Sequence, residues 1–449
     1  MQITGSGRQF LRLAGVNIAS NLMVPLAGLV DTAFLGHLSD IRHLAGVALA
    51  TVLFNYLYWT FGFLRMSTTG LTAQAVGQND PAKVLLVALR NGGIAGLLGV
   101  VILVLHQPLR DWGLGLLSAA PEVKAAAADY FNAMIWGAPA TLLNYVLLGW
   151  FLGQAQGAVV LVLSLVSNVA NVGLNYLLVV HYGGASAGAG AATALSQMLM
   201  LLVGLACFLK SGQWSLVRQV SDQLLEGAAL RSLFGLNRDL LVRTFALLTA
   251  FSVFTNLSSA FSKELLTVNT LLLQVISLAA YFIDGLAYAT ESCAGMWHGQ
   301  GEQLGLERLL RMSCGWSLGL GLLFAGVYNL VPRPLFQLLT HQSAILSAIP
   351  RYVGWLFPVL GFGSIAYALD GYFLGLGAGR ALRNASLLAT LLGFLPVALL
   401  GWYYHRPQGL WLAMTLFMAL RSTALALQVP HTLKPDRAQL LLSGSGRNT

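Results

Sequence analysis

Few side chains in the apolar stretches of this 449-residue chain can hold or move a charge, and Asp31 is the sharpest of them. It stands in P-L-A-G-L-V-D-T-A-F-L-G, after Pro25 and Gly28. A charge at mid-membrane depth costs at least about 2.5 to 3.5 kcal/mol on insertion scales, so such an acid must face protein or water. Proline inside a helix removes a hydrogen bond and permits a kink, and glycine adds backbone freedom. The chemistry this suggests is a titratable switch just beyond a hinge, because protonation of a buried carboxyl group responds to small changes in its surroundings. The competing reading is a carboxylate satisfied by neighbouring hydroxyls and amides.

Polar partners come from S-N-V-A-N-V-G-L-N-Y, where Asn168, Asn171 and Asn175 recur at spacings of three and four, on one helix face. A lone asparagine in a membrane helix is more often interhelical glue, worth about 0.6 kcal/mol. Three on one stripe suggest a polar cavity, and Asn144, Tyr145 and Thr193 are candidates to close the same network. The second half carries Asp284 in Y-F-I-D-G-L-A-Y-A-T-E, Glu291 seven residues on and therefore on the same helix face, and Asp370 in Y-A-L-D-G-Y-F-L-G. Arg65 reads as the one cation inside a span, roughly 20 Å deeper than Asp31 by helix rise, with a gating or structural role. Phe54, Tyr56, Trp59 and Tyr145 are candidate cation–π partners at about 0.5 to 2 kcal/mol each, against the commoner role of packing. His37, His43, His181 and His405 fall at span ends and read as interfacial. No HExxH or paired Cys motif occurs, so neither an intramembrane enzyme nor a metal or disulfide site is expected.

These residues must be positioned by membrane-spanning helices. The chain is 57% hydrophobic and 9% charged, whereas soluble domains carry about 25% charged residues. Runs long enough to cross a bilayer lie near 10–38, 44–76, 84–106, 124–153, 157–181, 187–210, 236–262, 265–297, 303–331, 344–376, 381–404 and 408–430. The first is too long and too polar at Asp31 for a signal peptide. The net charge of +9 is spread singly between apolar runs, which argues for topology signals and against a nucleic-acid partner. Most Lys and Arg fall in loops on the side of the termini, which places both termini in the cytoplasm by the positive-inside rule.

Shifting the chain by 222 residues brings Gly77-Gln78 onto Gly299-Gln300 and G-W-F-L-G at 149–153 onto G-Y-F-L-G at 371–375. An all-α membrane protein follows, with twelve helices in two six-helix lobes related by a pseudo-two-fold axis along the membrane normal. The expected division is an N-lobe at 1–210, a cytoplasmic linker at 211–235, a C-lobe at 236–430 and a polar tail at 431–449. The same shift brings Asp31 onto Val253, so its acid has no twin and function is asymmetric between the halves.

The motifs now reached resemble the multidrug and toxic compound extrusion (MATE) family, and its DinF subfamily in particular. They are P-L-A-G-L-V-D-T-A-F-L-G-H-L at 25–38, L-R-M-S-T-T-G-L-T-A-Q-A at 64–75, L-L-G-W-F-L-G at 147–153, Y-F-I-D-G-L-A-Y-A-T-E at 281–291 and L-D-G-Y-F-L-G at 369–375. The resemblance implies a bacterial inner-membrane antiporter that exports amphipathic, often cationic compounds in exchange for protons or sodium, read as a monomer and with no cofactor beyond the coupling ion. Asp31 matches the family's first-helix acid, whose protonation is linked to bending of that helix. Asn171 and Asn175 match its N-lobe polar network, Thr193 its threonine, and Asp370 an acid implicated in cation coupling in the NorM-type branch. Asn175 stands where many relatives have aspartate, which favours proton over sodium coupling, since hard cations prefer several charged or carbonyl oxygens.

Two further readings remain at this level. A lipid-linked oligosaccharide flippase would share the two-lobe architecture but line its cavity with several arginines. A passive channel would have no need of an asymmetric titratable group.

Overall fold

The computed structural model describes residues 7–36, 40–212 and 216–433, and every regular element among them is helical. In chain order these are α1 (Gly7–Gly36), α2 (Ile41–Phe61), α3 (Phe63–Gly77), α4 (Pro81–Val104), α5 (His106–Leu116), α6 (Pro121–Met134), α7 (Ala138–Gly153), α8 (Gly157–Asn175) and α9 (Ala185–Lys210). They continue with α10 (Val217–Val220), α11 (Gly227–Phe261), α12 (Lys263–Gln300), α13 (Gln303–Leu330), α14 (Pro332–Gln337), α15 (Ser343–Ala348) and α16 (Leu356–Gly375). The last are α17 (Gly379–Leu388), α18 (Leu395–Tyr403), α19 (Gln408–Ala426) and α20 (Val429–Thr432). Among the described residues, eleven helical runs are long and apolar enough to cross a membrane. Helix α1, about 45 Å long by helix rise, falls on the first expected span and makes twelve.

The spans begin where polar residues can satisfy the free amides of a helix start. Asp40 accepts from the Arg42 amide at 3.0 Å, and Asp80 accepts from the Lys83 amide at 2.9 Å with Pro81 in the first turn. Ser262 accepts from the Leu265 amide at 3.0 Å, which separates α11 from α12 at a junction with little other punctuation. One expected span differs. Of 344–376, the membrane-crossing part is Val353–Gly375, while Ser343–Ala348 forms the separate α15. Pro350 and Arg351 sit in the tight turn between them, where proline cannot continue the helical ladder.

The connection between the halves is more structured than a tether. Helix α10 and a following tight turn occupy it, and α11 already starts at Gly227. Arg90 of α4 donates to the Gln223 carbonyl at 2.5 Å and the Leu224 carbonyl at 3.3 Å, and Glu226 lies 3.6 Å away.

By spatial clustering the chain forms two compact units. One is Arg12–Thr244; the other runs from Phe245 onward and includes the first turn of α1. The repeat seen in the sequence is a packing contact in each. In the N-terminal unit, a Cβ at Gly149 would meet the Arg65 carbonyl, and one at Gly153 the Thr69 carbonyl and the Thr72 side chain, so α7 lies directly on α3. In the C-terminal unit, Gly371 faces the Ala287 carbonyl and Gly375 the Glu291 carbonyl and the Gly295 amide, so α16 lies directly on α12. The partners also differ by 222: Arg65 with Ala287, and Thr69 with Glu291. Small residues one turn apart allow this close approach in membranes, where lipid is as apolar as leucine and packing must hold helices together.

Candidate functional site

Below Pro25, α1 is fastened to α8. The hydroxyls of Ser20 and Ser164 are 2.7 Å apart. Gly157, at the start of α8, leaves room for Asn17 Oδ1 and Leu13, each only 3.0 Å from where a Cβ would stand. Beyond Pro25 the helix continues without interruption to Gly36, but Leu26 and Leu29 are exposed. Gly28 meets no neighbouring atom where a Cβ would be. Asp31 belongs to this second segment of α1; its side chain, like the whole of His37, lies outside the described residues.

The asparagine stripe of α8 forms a connected polar seam with α9. Asn175 Nδ2 donates to the Asn171 carbonyl at 3.0 Å and to its Oδ1 at 3.2 Å, and Asn171 Nδ2 donates to Thr193 Oγ1 at 3.2 Å. One turn further along α9, Gln197 Nε2 donates to Ser167 Oγ at 3.3 Å. Its side-chain and main-chain oxygens accept from Asn144 Nδ2 of α7 at 3.1 and 2.9 Å. Asn168 instead donates to the Ser164 carbonyl of its own helix. Asn144 therefore joins the seam through Gln197, a residue the sequence reading did not single out. Its signal was present: Thr193 and Gln197 are four apart in T-A-L-S-Q, which places them on one face of α9. Tyr145 lies by another cluster, where Tyr58 hydrogen-bonds Thr141 near Tyr130.

Gln197 satisfies groups on two other helices, so Gln197→Leu is expected to lower stability by about 1 to 3 kcal/mol through the partners it strands. Thermal melting of the purified variant reads this. A change within error of wild type would mean the seam is held without it.

Aromatic contributions sort by burial. Phe54 is a core residue, stacked on Phe131 with ring centroids 4.9 Å apart, and is closed to any ligand. Tyr56 and Trp59 are exposed on α2.

In the C-terminal unit the acids do not share one site. Asp284 is half-buried on α12 beside Tyr281. Glu291, two turns on, is fully buried where Gly375 crosses its helix. Asp370 on α16 is ion-paired with Arg421 of α19, whose guanidinium also lies 5.7 Å from the Tyr367 ring centroid. This corrects the expectation that Arg65 is the one cation inside a span. Arg421 is 0% exposed and Arg243 of α11 is 6% exposed. An arginine near a span end reads as one that snorkels to the interface, and only the fold reveals that Asp370 stands opposite. Both arginines are enclosed by protein.

The comparisons with known proteins agree with this architecture. A profile of the MatE family matches residues 17–177 and again 240–399. The starts differ by 223 and the ends by 222, so the two matches lie on the two copies of the repeat. DNA damage-inducible protein F of Escherichia coli (strain K12) is 34% identical over 429 residues, covering 94% of this chain and 92% of that protein. A probable multidrug resistance protein NorM of Synechococcus sp. is 28% identical over 435 residues, covering 92% of this chain and 91% of its own length. Among solved structures, a MOP superfamily transporter from Pyrococcus furiosus superposes with a TM-score of 0.84 at 18% identity, over 95% of both chains.

Proposed function

The chain belongs to the MatE family of membrane transporters, and from that membership we propose that it is a proton-driven antiporter exporting amphipathic, often cationic organic compounds. In this reading Asp31, when ionised, helps hold an organic cation in the N-terminal unit. A proton arriving from outside neutralises it, removes the attraction and lets α1 bend near Pro25 and Gly28, closing the cavity. Differential affinity of substrate and proton for two states is all the thermodynamics requires. The observation that carries the reading is the division of α1. Its first segment is pinned to α8 through Ser20, Asn17 and Leu13, whereas the acid sits on the segment beyond the proline. The seam of Asn144, Gln197, Ser167, Asn171, Asn175 and Thr193 supplies neutral donors and acceptors in the same unit, on α7, α8 and α9.

Energetics restrict the stoichiometry. A proton moving inward through ~100 mV gains about 2.3 kcal/mol, and half a pH unit adds about 0.7. Exchange of one proton for one monovalent cation cancels the voltage, leaving only the pH term and roughly a threefold gradient. High accumulation of such a cation requires a second titrating group. Asp370 is engaged by Arg421, so Asp284, half-open on α12, is the better candidate. Asp284→Asn is expected to reduce the charge moved per cycle and to lower the attainable gradient of a monovalent cation by on the order of a hundredfold. Electrical recording from proteoliposomes checks it; unchanged charge movement would exclude Asp284.

The protein then resides in a bacterial inner membrane as a monomer with both termini in the cytoplasm. A pH-jump efflux assay across dyes and bile acids, in sodium and in potassium media, tests the whole reading. Efflux should follow the proton gradient equally in both media, and dependence on sodium alone would contradict it.

A further inference from the structure

The two units build a deep polar seam from the same pair of helices and fill it differently. A shift of 222 carries α7 onto α16 and α9 onto α19. Between α7 and α9 the bridge is a pair of neutral amides, Asn144 and Gln197. Between α16 and α19 it is a carboxylate and a guanidinium, Asp370 and Arg421, 3% and 0% exposed. Tyr367, beside the Arg421 guanidinium, falls on Tyr145, which lies by the Tyr58 cluster instead. The charges have no counterpart: Asp370 falls on Leu148 and Arg421 on Leu199.

A carboxylate taken out of water requires a positive partner, supplied either by a free cation or by a side chain. Guanidinium is always charged, weakly hydrated and planar, so it suits this place better than a hydrated ion. Its contact is with Asp370 Oδ2, so the positive charge is already at the carboxylate. We propose that Arg421 is a tethered cation filling the cation position at Asp370, so that it closes the C-terminal unit to sodium and sets the ion selectivity of transport. This rests on the reading of the chain as an ion-coupled exporter. Its test reads stability without transport, so failure of one is not mistaken for failure of the other.

The experiment compares melting of wild type, Arg421→Ala and the double variant Asp370→Asn with Arg421→Gln in sodium, potassium and choline chloride at equal ionic strength. The double variant replaces the ion pair by a neutral amide pair of the kind that joins α7 to α9. Wild type and double variant should melt at the same temperature in all three salts. Arg421→Ala should gain a saturable, sodium-dependent rise in Tm, because an ion that binds only the folded state stabilises it, and should retain radioactive sodium in equilibrium dialysis. A wild type stabilised by sodium over choline, or an Arg421→Ala variant indifferent to sodium, would overturn the proposal. If Arg421→Ala does not fold in choline, it is purified in sodium throughout. Recovery there supports the proposal, and failure there while the double variant folds overturns it.

Discussion

Asp31→Asn is expected to abolish proton-driven export while leaving the protein inserted and as abundant as wild type. The exchange keeps size and polarity and removes only the ability to ionise, so it acts on the coupling step rather than on the fold. Asp31 lies on the segment of α1 beyond Pro25, where Leu26 and Leu29 are exposed. Asp370→Asn, the same chemical change, should behave in the opposite way. It leaves the Arg421 guanidinium buried without its counter-charge, a loss of about 3 to 5 kcal/mol for breaking such a pair. The two variants together separate an acid that couples transport from one that holds a unit together. Membrane abundance by immunoblot and dye efflux after an external acid pulse read both properties. Undiminished pH-driven efflux in Asp31→Asn would refute its role.

The second large effect concerns packing. Gly371→Ala and Gly375→Ala should each destabilise the C-terminal unit by about 1 to 3 kcal/mol, the range for inserting atoms into a filled interior. Both glycines face backbone of α12, which cannot rotate aside as a side chain would. Gly319→Ala on α13 is the matched control: nothing lies within 4 Å of its Cβ position, and alanine is the better helix former. Melting of the purified variants should therefore fall for the first two and hold or rise for the third. Equal melting of all three would mean that α16 and α12 separate readily.

How much of this was readable in advance depended on the length scale of the signal. Spans were legible because a bilayer demands about twenty apolar residues in a row. The paired G-x-x-x-G motifs at 149–153 and 371–375 were legible as a repeat, and the fold turns that repeat into two equivalent helix crossings. Pro350 is visible in the sequence, but the apolar residues on both sides of it outweigh it, so the sequence alone predicts a tenth span longer than the Val353–Gly375 run that forms. Gln197 was missed because a single amide in an apolar run says nothing about which helices it faces. Arg421 was missed for a related reason: its partner is 51 positions away, and the contact exists only once α16 and α19 pack. Pairing across helices is tertiary information, whereas periodicity along one helix is not.

The central claim is that substrate and proton move in opposite directions through one protein, with Asp31 as the link. Its most direct measurement is substrate-driven proton movement in proteoliposomes holding a pH dye and no initial pH or voltage difference. An outward gradient of substrate should drive protons inward and acidify the lumen in the wild type, saturably and to the same extent with or without sodium. Asp31→Asn should show no acidification. Proton flux that persists without substrate, or substrate flux that leaves the lumen pH unchanged, would contradict the account.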